Sequence, residues 1–174
     1  MSTVKTNNVQ VGQSATATNN FTLYQPSTPD GTVRLGVGNT GATTADVASF
    51  NSSGVFAFNS GYGSAATAYG CRAWVRFSAA TGTPTINGSG NVSSLTDLGV
   101  GLTRVNFTTA MPDGSYNLTG TSSDNNSASN GWGMVLVPKG GPNGFTTGYI
   151  EVATVGGGGA TLYDAHATSI SIFR

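Results

Sequence analysis

The chain has 174 residues, of which 37% are hydrophobic and only 8% are charged. An average globular chain carries about 25% charged residues, so serine, threonine, asparagine and glycine must cover much of this surface. The charges of the seven basic and seven acidic residues cancel. The sequence contains no cluster of basic residues that could neutralise the phosphates of a nucleic acid, so a nucleic-acid partner is not expected. The only cysteine, Cys71, excludes an intramolecular disulfide and a cysteine-based metal cage.

The first residues, "MSTVKTNN", lack the apolar core of a signal peptide, and no run approaches the roughly 20 apolar residues of a membrane span. We therefore expect a product made in a cytoplasm, without a signal peptide and without membrane insertion. The 26 glycines and the low charge favour disorder, but eight Phe, six Tyr and two Trp, many in alternating runs, oppose it. The sequence predicts a folded protein.

Residues 1–65 contain short strand patterns, "VQV", "FTLY" and "TVRLGVG", separated by polar stretches. These patterns hold too few large apolar residues to bury a core against the entropy cost of folding. We predict an extended N-terminal attachment or assembly segment with short strands, ordered by the rest of the chain or by another subunit. Within it, "GATTADVASF" is compatible with no more than a short helical turn.

Residues 66–174 carry strand patterns at intervals of roughly ten to twenty residues, separated by turn-forming stretches such as "NGSGN" and "DLGVG". Repeated short strands of this kind predict an all-β domain, an antiparallel β-sandwich of jelly-roll-like type. Period-two alternation assigns part of its core, namely Val105, Phe107, Tyr116, Leu118, Met134, Leu136, Ile170 and Ile172.

The heptad "CRAWVRF", residues 71–77, has two distinct faces when it is read as a strand. One face carries Cys71, Ala73, Val75 and Phe77, and the other carries Arg72, Trp74 and Arg76. In a monomer the second face is an exposed stripe with a weak cation–π contribution. In an oligomer Trp74 fills a pocket on a neighbouring subunit while the arginines reach carboxylates or carbonyls across the boundary. We favour the second reading and predict a subunit interface.

The sequence gives little sign of catalysis. The only histidine, His166, lies two residues from Asp164, but no "GxSxG" elbow accompanies them. Glu151 is the only glutamate and the aspartates mostly occupy turn contexts, so no carboxylate pair is indicated. The loop "SDNNSASNG" lacks the acidic spacing of a calcium loop. We expect no enzymatic activity, no metal and no cofactor.

A glycan-binding role is an alternative. Its candidate stacking residues are the aromatic side chains of Trp132, Tyr149 and Tyr163, with loop asparagines and aspartates as hydrogen-bonding groups.

Two stretches resemble a known group of proteins. The first contains "GQSATATNNFTL", "PDGTVRL" and "GNTGATT", and is similar to the N-terminal segment of tail-fibre and other virion structural proteins of tailed bacteriophages. The second contains "RAWV", "SGNVSSLTD" and "VNFTTAMPD", and resembles a module that recurs in phage tail-fibre-like proteins. Together the two stretches cover most of residues 6–118.

The resemblance implies a β-rich homotrimer located in a virion, made in the host cytoplasm. Its N-terminal segment is expected to attach to another virion protein of the tail, the collar or the major capsid, and its sandwich to point outward, where it meets a host glycan in some relatives. Because the chain has 174 residues and no repeated shaft, a short fibre, a collar or baseplate piece, or a capsid decoration (cement) protein is expected rather than a long fibre.

Overall fold

The protein consists of two compact units, Met1–Ala68 and Tyr69–Arg174. The computed structural model describes residues 6–61, 63–123, 133–139, 144–156 and 161–174, and of residues 133–137 only the backbone. The sequence predicted a boundary between residues 65 and 66, and the structure divides the chain after Ala68.

The first unit is a six-stranded antiparallel sheet in which each strand pairs with the next along the chain. A single 3-10 turn, Ala17–Asn19, precedes the second strand. The strands are β1 (Asn8–Val11), β2 (Phe21–Tyr24), β3 (Thr32–Asn39), β4 (Ala42–Asn51), β5 (Phe56–Phe58) and β6 (Ala66–Thr67). The stretch "GATTADVASF", in which the sequence allowed at most a short helical turn, contains no helix; its residues form most of β4 and pair with β3.

One side of this sheet, called the apolar face below, carries rows of large hydrophobic side chains. Residues directly opposite each other in an antiparallel sheet share a face, as do residues two apart along a strand. The pairing registers therefore align three rows, Val11–Phe21–Val37, Val9–Leu23–Leu35–Ala48–Phe58 and Val33–Phe50–Phe56. No hydrophobic side chain among the described residues of this unit is buried, which confirms that the segment does not form an apolar core of its own.

The opposite side of the same sheet is polar and internally paired. The Tyr24 hydroxyl donates to Asp46 Oδ1 over 2.6 Å, and Arg34 Nη1 donates to Asp46 Oδ2 over 3.0 Å. The second amino group of Arg34 pairs with Asp30. The sheet is therefore strongly two-sided, with its ion pairs on one face and its large apolar side chains on the other.

The second unit is an eight-stranded antiparallel sheet with the order β8-β7-β14-β11-β12-β13-β10-β9. Its strands are β7 (Cys71–Ser78), β8 (Thr85–Gly90), β9 (Val92–Gly99), β10 (Leu102–Phe107), β11 (Asn117–Ser123), β12 (Gly133–Pro138), β13 (Tyr149–Val155) and β14 (Ala167–Phe173). The sheet folds over so that the half β8-β7-β14-β11 packs on the half β12-β13-β10-β9, because side chains of both halves share one buried cluster. The predicted all-β antiparallel sandwich is confirmed.

The core of the sandwich lies between these halves. One half contributes Ala73, Val75, Phe77, Ile170 and Ile172, and the other contributes Val105, Phe107, Ile150 and Val152, joined by Met111 and Tyr116. This confirms the predicted core positions on β10 and β14 and at Tyr116, whereas Leu118 is partly buried against the cluster. Met134 and Leu136 lie outside the described side chains.

The stretch "NGSGN" was predicted to be a turn, and this is wrong for most of its length. Its first four residues belong to β8, and only Asn91, with φ +56°, makes the turn into β9. The described residues include no helix of the length and hydropathy needed to cross a membrane.

Candidate subunit-interaction surfaces

The stripe formed by Arg72, Trp74 and Arg76 lies on the outer side of β7. All three side chains are exposed, and Trp74 retains 46% of its accessible surface. The intervening residues Ala73, Val75 and Phe77 are buried in the core. Because successive side chains of a strand point to opposite sides of the sheet, the side chains of the stripe point outward. The structure therefore brings the three predicted interface residues together on one surface.

Glycines in the neighbouring strand form a floor under the indole of Trp74. Trp74 is paired with Gly90, and Arg76 with Gly88, in the edge strand β8. A Cβ at Gly90 would overlap the Trp74 indole nitrogen, and a Cβ at Gly88 would lie 3.4 Å from its ring. The ring consequently lies against backbone and presents its other face outward. A large ring held in this way is suited to contact with another surface, because little side-chain entropy remains to be lost.

The two arginines of the stripe are not ion-paired within the described part of the chain, although Arg34, Arg104, Lys139 and Arg174 are. Two carboxylates of the same unit also lack a cationic partner there. Asp97 accepts from the Gly99 amide over 2.8 Å, and Asp164 accepts from the Gly101 amide over 2.7 Å. Both carboxylates therefore flank the turn between β9 and β10. Among its described residues, the sandwich thus carries one cationic and one anionic site that have no ionic partner within the unit.

Tyr149, a candidate glycan-stacking residue, lies beside a charged cluster. The Arg104 guanidinium carbon lies 4.2 Å from the centre of the Tyr149 ring, so the guanidinium covers one face of that ring. Arg104 Nε and Nη2 both donate to Glu151 Oε1, over 3.0 and 2.6 Å, and Lys139 Nζ lies 3.5 Å from Glu151 Oε2. The hydrogen bonds from Arg104, and after them the charges of Lys139 and Arg104, hold the pKa of Glu151 below its ordinary value of 4.5.

Glu151→Gln is expected to reduce the free energy of unfolding by about 1 kcal/mol at neutral pH, the size typical of a partly exposed ion pair. Because the folded-state pKa is lowered, this stabilisation is present above pH 4.5 and disappears as the pH falls through the lowered value. Urea unfolding at pH 7, 5 and 3 should therefore give wild-type and variant values that converge on acidification. Asn117→Gln, a neutral substitution at an exposed position of the same unit, is the control and should show no pH-dependent difference from the wild type. A difference that stays constant down to pH 3 would contradict the assignment.

The remaining glycan candidates do not join Tyr149 in one platform. Tyr163 is exposed, but its amide donates to the Thr154 carbonyl at the far end of β13 from Tyr149. Thr154 lies five positions after Tyr149 along the strand, which corresponds to about 16 Å at the usual rise. Trp132 lies outside the described residues. Tyr149 and Tyr163 are thus available only as separate contacts.

The two groups considered for catalysis have different structural surroundings. Asp164 binds the Gly101 amide, whereas His166 is exposed and its amide donates to the Ser123 carbonyl. Among the described residues, no three His, Cys, Asp or Glu side chains are grouped so that they could hold a metal ion.

A second candidate surface is the apolar face of the N-terminal sheet. Phe50 and Phe56 are paired across β4 and β5 with ring centres 4.8 Å apart, and Phe58 follows at 6.0 Å from Phe56. All three rings remain exposed. Sequence reasoning noted that this segment needs another surface but did not locate it. The signal was present as the alternation in "NVQV", "FTLY" and "FAF".

Comparison with known proteins gives no identification: no protein-family model, curated protein or solved structure matches this chain.

Proposed function

We propose that this chain is a non-enzymatic structural component of a bacteriophage virion, which assembles as a homotrimer, attaches through its N-terminal unit and exposes its β-sandwich. The resemblance of residues 6–118 to phage tail-fibre-like proteins supports the virion assignment. The observation that carries the assembly role is the exposed stripe Arg72–Trp74–Arg76, whose two guanidiniums have no acidic partner in the described residues.

The charges of the sandwich support a contact between like chains. Asp97 and Asp164 carry the carboxylates that lack a cationic partner in the described part of this unit, and both flank the β9–β10 turn. The stripe and this turn are different patches, so pairing one with the other on the next copy is a heterologous contact that can close into a ring. In such a ring the arginines meet carboxylates, and Trp74 supplies the apolar anchor.

Trp74→Ala is expected to weaken assembly about 30-fold or more, since central aromatic anchors contribute about 2 kcal/mol or more. The wild-type chain should give the mass of a trimer by light scattering at micromolar concentration, and the variant should dissociate at higher concentration. The far-ultraviolet circular dichroism of the variant should remain that of a β protein. Tyr69→Ala, which removes another exposed ring of the same unit, is the control and should leave the mass unchanged. A wild-type chain that is monomeric would refute the trimer.

The virion assignment is tested separately, by the location of the chain in purified particles. We expect density for three copies of the chain in a reconstruction of the whole particle, and peptides from it in the digest of washed particles. Its position distinguishes a short fibre, collar or baseplate piece on the tail from a decoration protein on the head. Particles that lack the chain would exclude the virion role.

A further inference from the structure

We infer that the apolar face of the N-terminal sheet is covered by the same face of neighbouring copies of this chain. The inference rests on the proposed self-assembly and adds to it a second contact, independent of the stripe on the sandwich. It assigns a self-association role to residues within Asn8–Phe58.

The apolar face is large for an exposed surface of a monomer. Eight of its large side chains are between 37% and 65% exposed, namely Val9, Val11, Phe21, Leu23, Val33, Phe50, Phe56 and Phe58. With roughly 150–200 Å² for each fully exposed residue, they present about 700 Å² of apolar surface. The largest apolar patch of a typical monomer is about 300–600 Å², and a standard interface buries about 800 Å² on each partner. The face alone therefore approaches the area that one side of a stable interface needs.

The absence of charge on this face identifies the partner as another apolar surface. Of the described charged residues of the first unit, Arg34 and Asp46 pair on the opposite side of the sheet, and Asp30 precedes β3 and pairs with Arg34. When the apolar faces of two copies come into contact, no like charges therefore meet and no charged side chain loses its partner. A polar partner surface would instead have to lose its water without gaining hydrogen bonds. The same face on a second copy satisfies both requirements.

The phenylalanine ladder supplies the anchors of such a contact. Phe50, Phe56 and Phe58 lie on adjacent strands with neighbouring rings 4.8 and 6.0 Å apart. Sheets that pack face to face interdigitate their side chains at about 10 Å separation, a distance that rings of this size fill. Aromatic residues near the centre of an interface usually dominate its energy. We therefore expect Phe50 and Leu23, on neighbouring rows of the face, to be sensitive positions.

Leu23→Asp and Phe50→Asp are each expected to weaken self-association of the full chain about 30-fold or more, because each places a carboxylate within the apolar contact. Ser49→Asp is the matched control. It introduces the same charge one residue from Phe50, on the opposite side of the sheet, where Ser49 is paired with Arg34. Masses are measured by light scattering over a dilution series, and the control should keep the wild-type mass. The double variant Leu23→Thr with Phe50→Thr, which keeps β-forming residues and adds no charge, should behave like the aspartate variants.

Particle incorporation measured on the same variants separates this inference from the proposed function. Aspartate and threonine variants that dissociate support the inference. Variants that keep the wild-type mass but no longer enter particles would assign the face to a different virion protein, which overturns the inference and leaves the virion role intact. Variants unchanged in both measurements also overturn it. A wild-type chain that associates through this face but is absent from particles would refute the virion role alone.

Discussion

Replacing Phe77 with alanine is expected to lower the free energy of unfolding of the sandwich by about 3–5 kcal/mol, the cost typical of removing a buried aromatic ring. Phe77 is 1% exposed and is among the largest fully buried side chains. It lies between Thr168 on β14 and Ile86 on β8, with which it is paired. Close packing allows the surrounding side chains to relax only partly, so a cavity remains.

This effect should appear in urea unfolding followed by tryptophan fluorescence, with the change confined to the transition of the second unit. Phe173→Ala is the control, because Phe173 lies on β14 but is 36% exposed. Its loss should cost about 1 kcal/mol or less, in proportion to the smaller buried area. Equal losses for Phe77 and Phe173 would contradict the burial of Phe77 in the core between the two halves of the sandwich.

The positions of the strands in the sandwich could be predicted because alternation is a local property of the sequence. "CRAWVRF" alone identifies β7 and its two faces, and Ile170 with Ile172 identifies the inner face of β14. The order of the strands could not be predicted in this way. Asn91 is the only residue between β8 and β9, yet these strands occupy opposite edges of the sheet. Its side chain stabilises this connection by donating to the carbonyls of Arg72 and Thr109, contacts between residues distant in sequence.

The glycines of β8 explain why a turn was expected there. Glycine is common in turns because it tolerates positive φ, and Gly88 and Gly90 were interpreted in that sense. In the structure neither has positive φ. Gly90 is required instead because a Cβ there would overlap the ring of Trp74, whereas a Cβ at Gly88 would make only an ordinary contact with that ring. Composition predicts that glycine is needed, but only the pairing of β7 with β8 shows which property of glycine is used.

For the first unit, the sequence predicted that too few large apolar residues are present to form a core. It did not predict which of the apolar residues share one face of the sheet. Whether Leu23, Ala48 and Phe58 fall in one row depends on registers that include bulges next to Leu35 and Val37. A shift of one residue in any strand would send its side chains to the other face. The apolar face is therefore a property of the pairing. For the same reason, Asp97 and Asp164 were not predicted to share one turn, because 63 residues separate Gly101 from its partner Asp164.

Gly101→Ala is expected to be the most damaging small substitution in the β9–β10 turn, with a loss of about 3 kcal/mol or more in the free energy of unfolding. Gly101 has φ +67°, a conformation that L residues rarely adopt. A Cβ there would stand 2.7 Å from the Tyr163 amide nitrogen and 2.9 Å from the Thr154 carbonyl oxygen. Both are backbone atoms, so relief requires the strand end to move.

The control for Gly101 is Gly82→Ala. Gly82 has φ +82°, but a Cβ there meets nothing within 4 Å, so this variant carries only the backbone strain of about 1–2 kcal/mol. The difference between the two variants in urea unfolding measures the steric overlap. Displacing Gly101 also moves the amide that binds Asp164, one of the two carboxylates proposed to receive the arginines of the next copy. Gly101→Ala should therefore weaken the oligomer under conditions where the chain is still folded, whereas Gly82→Ala should not. Equal behaviour of the two variants in both measurements would remove the β9–β10 turn from the proposed contact.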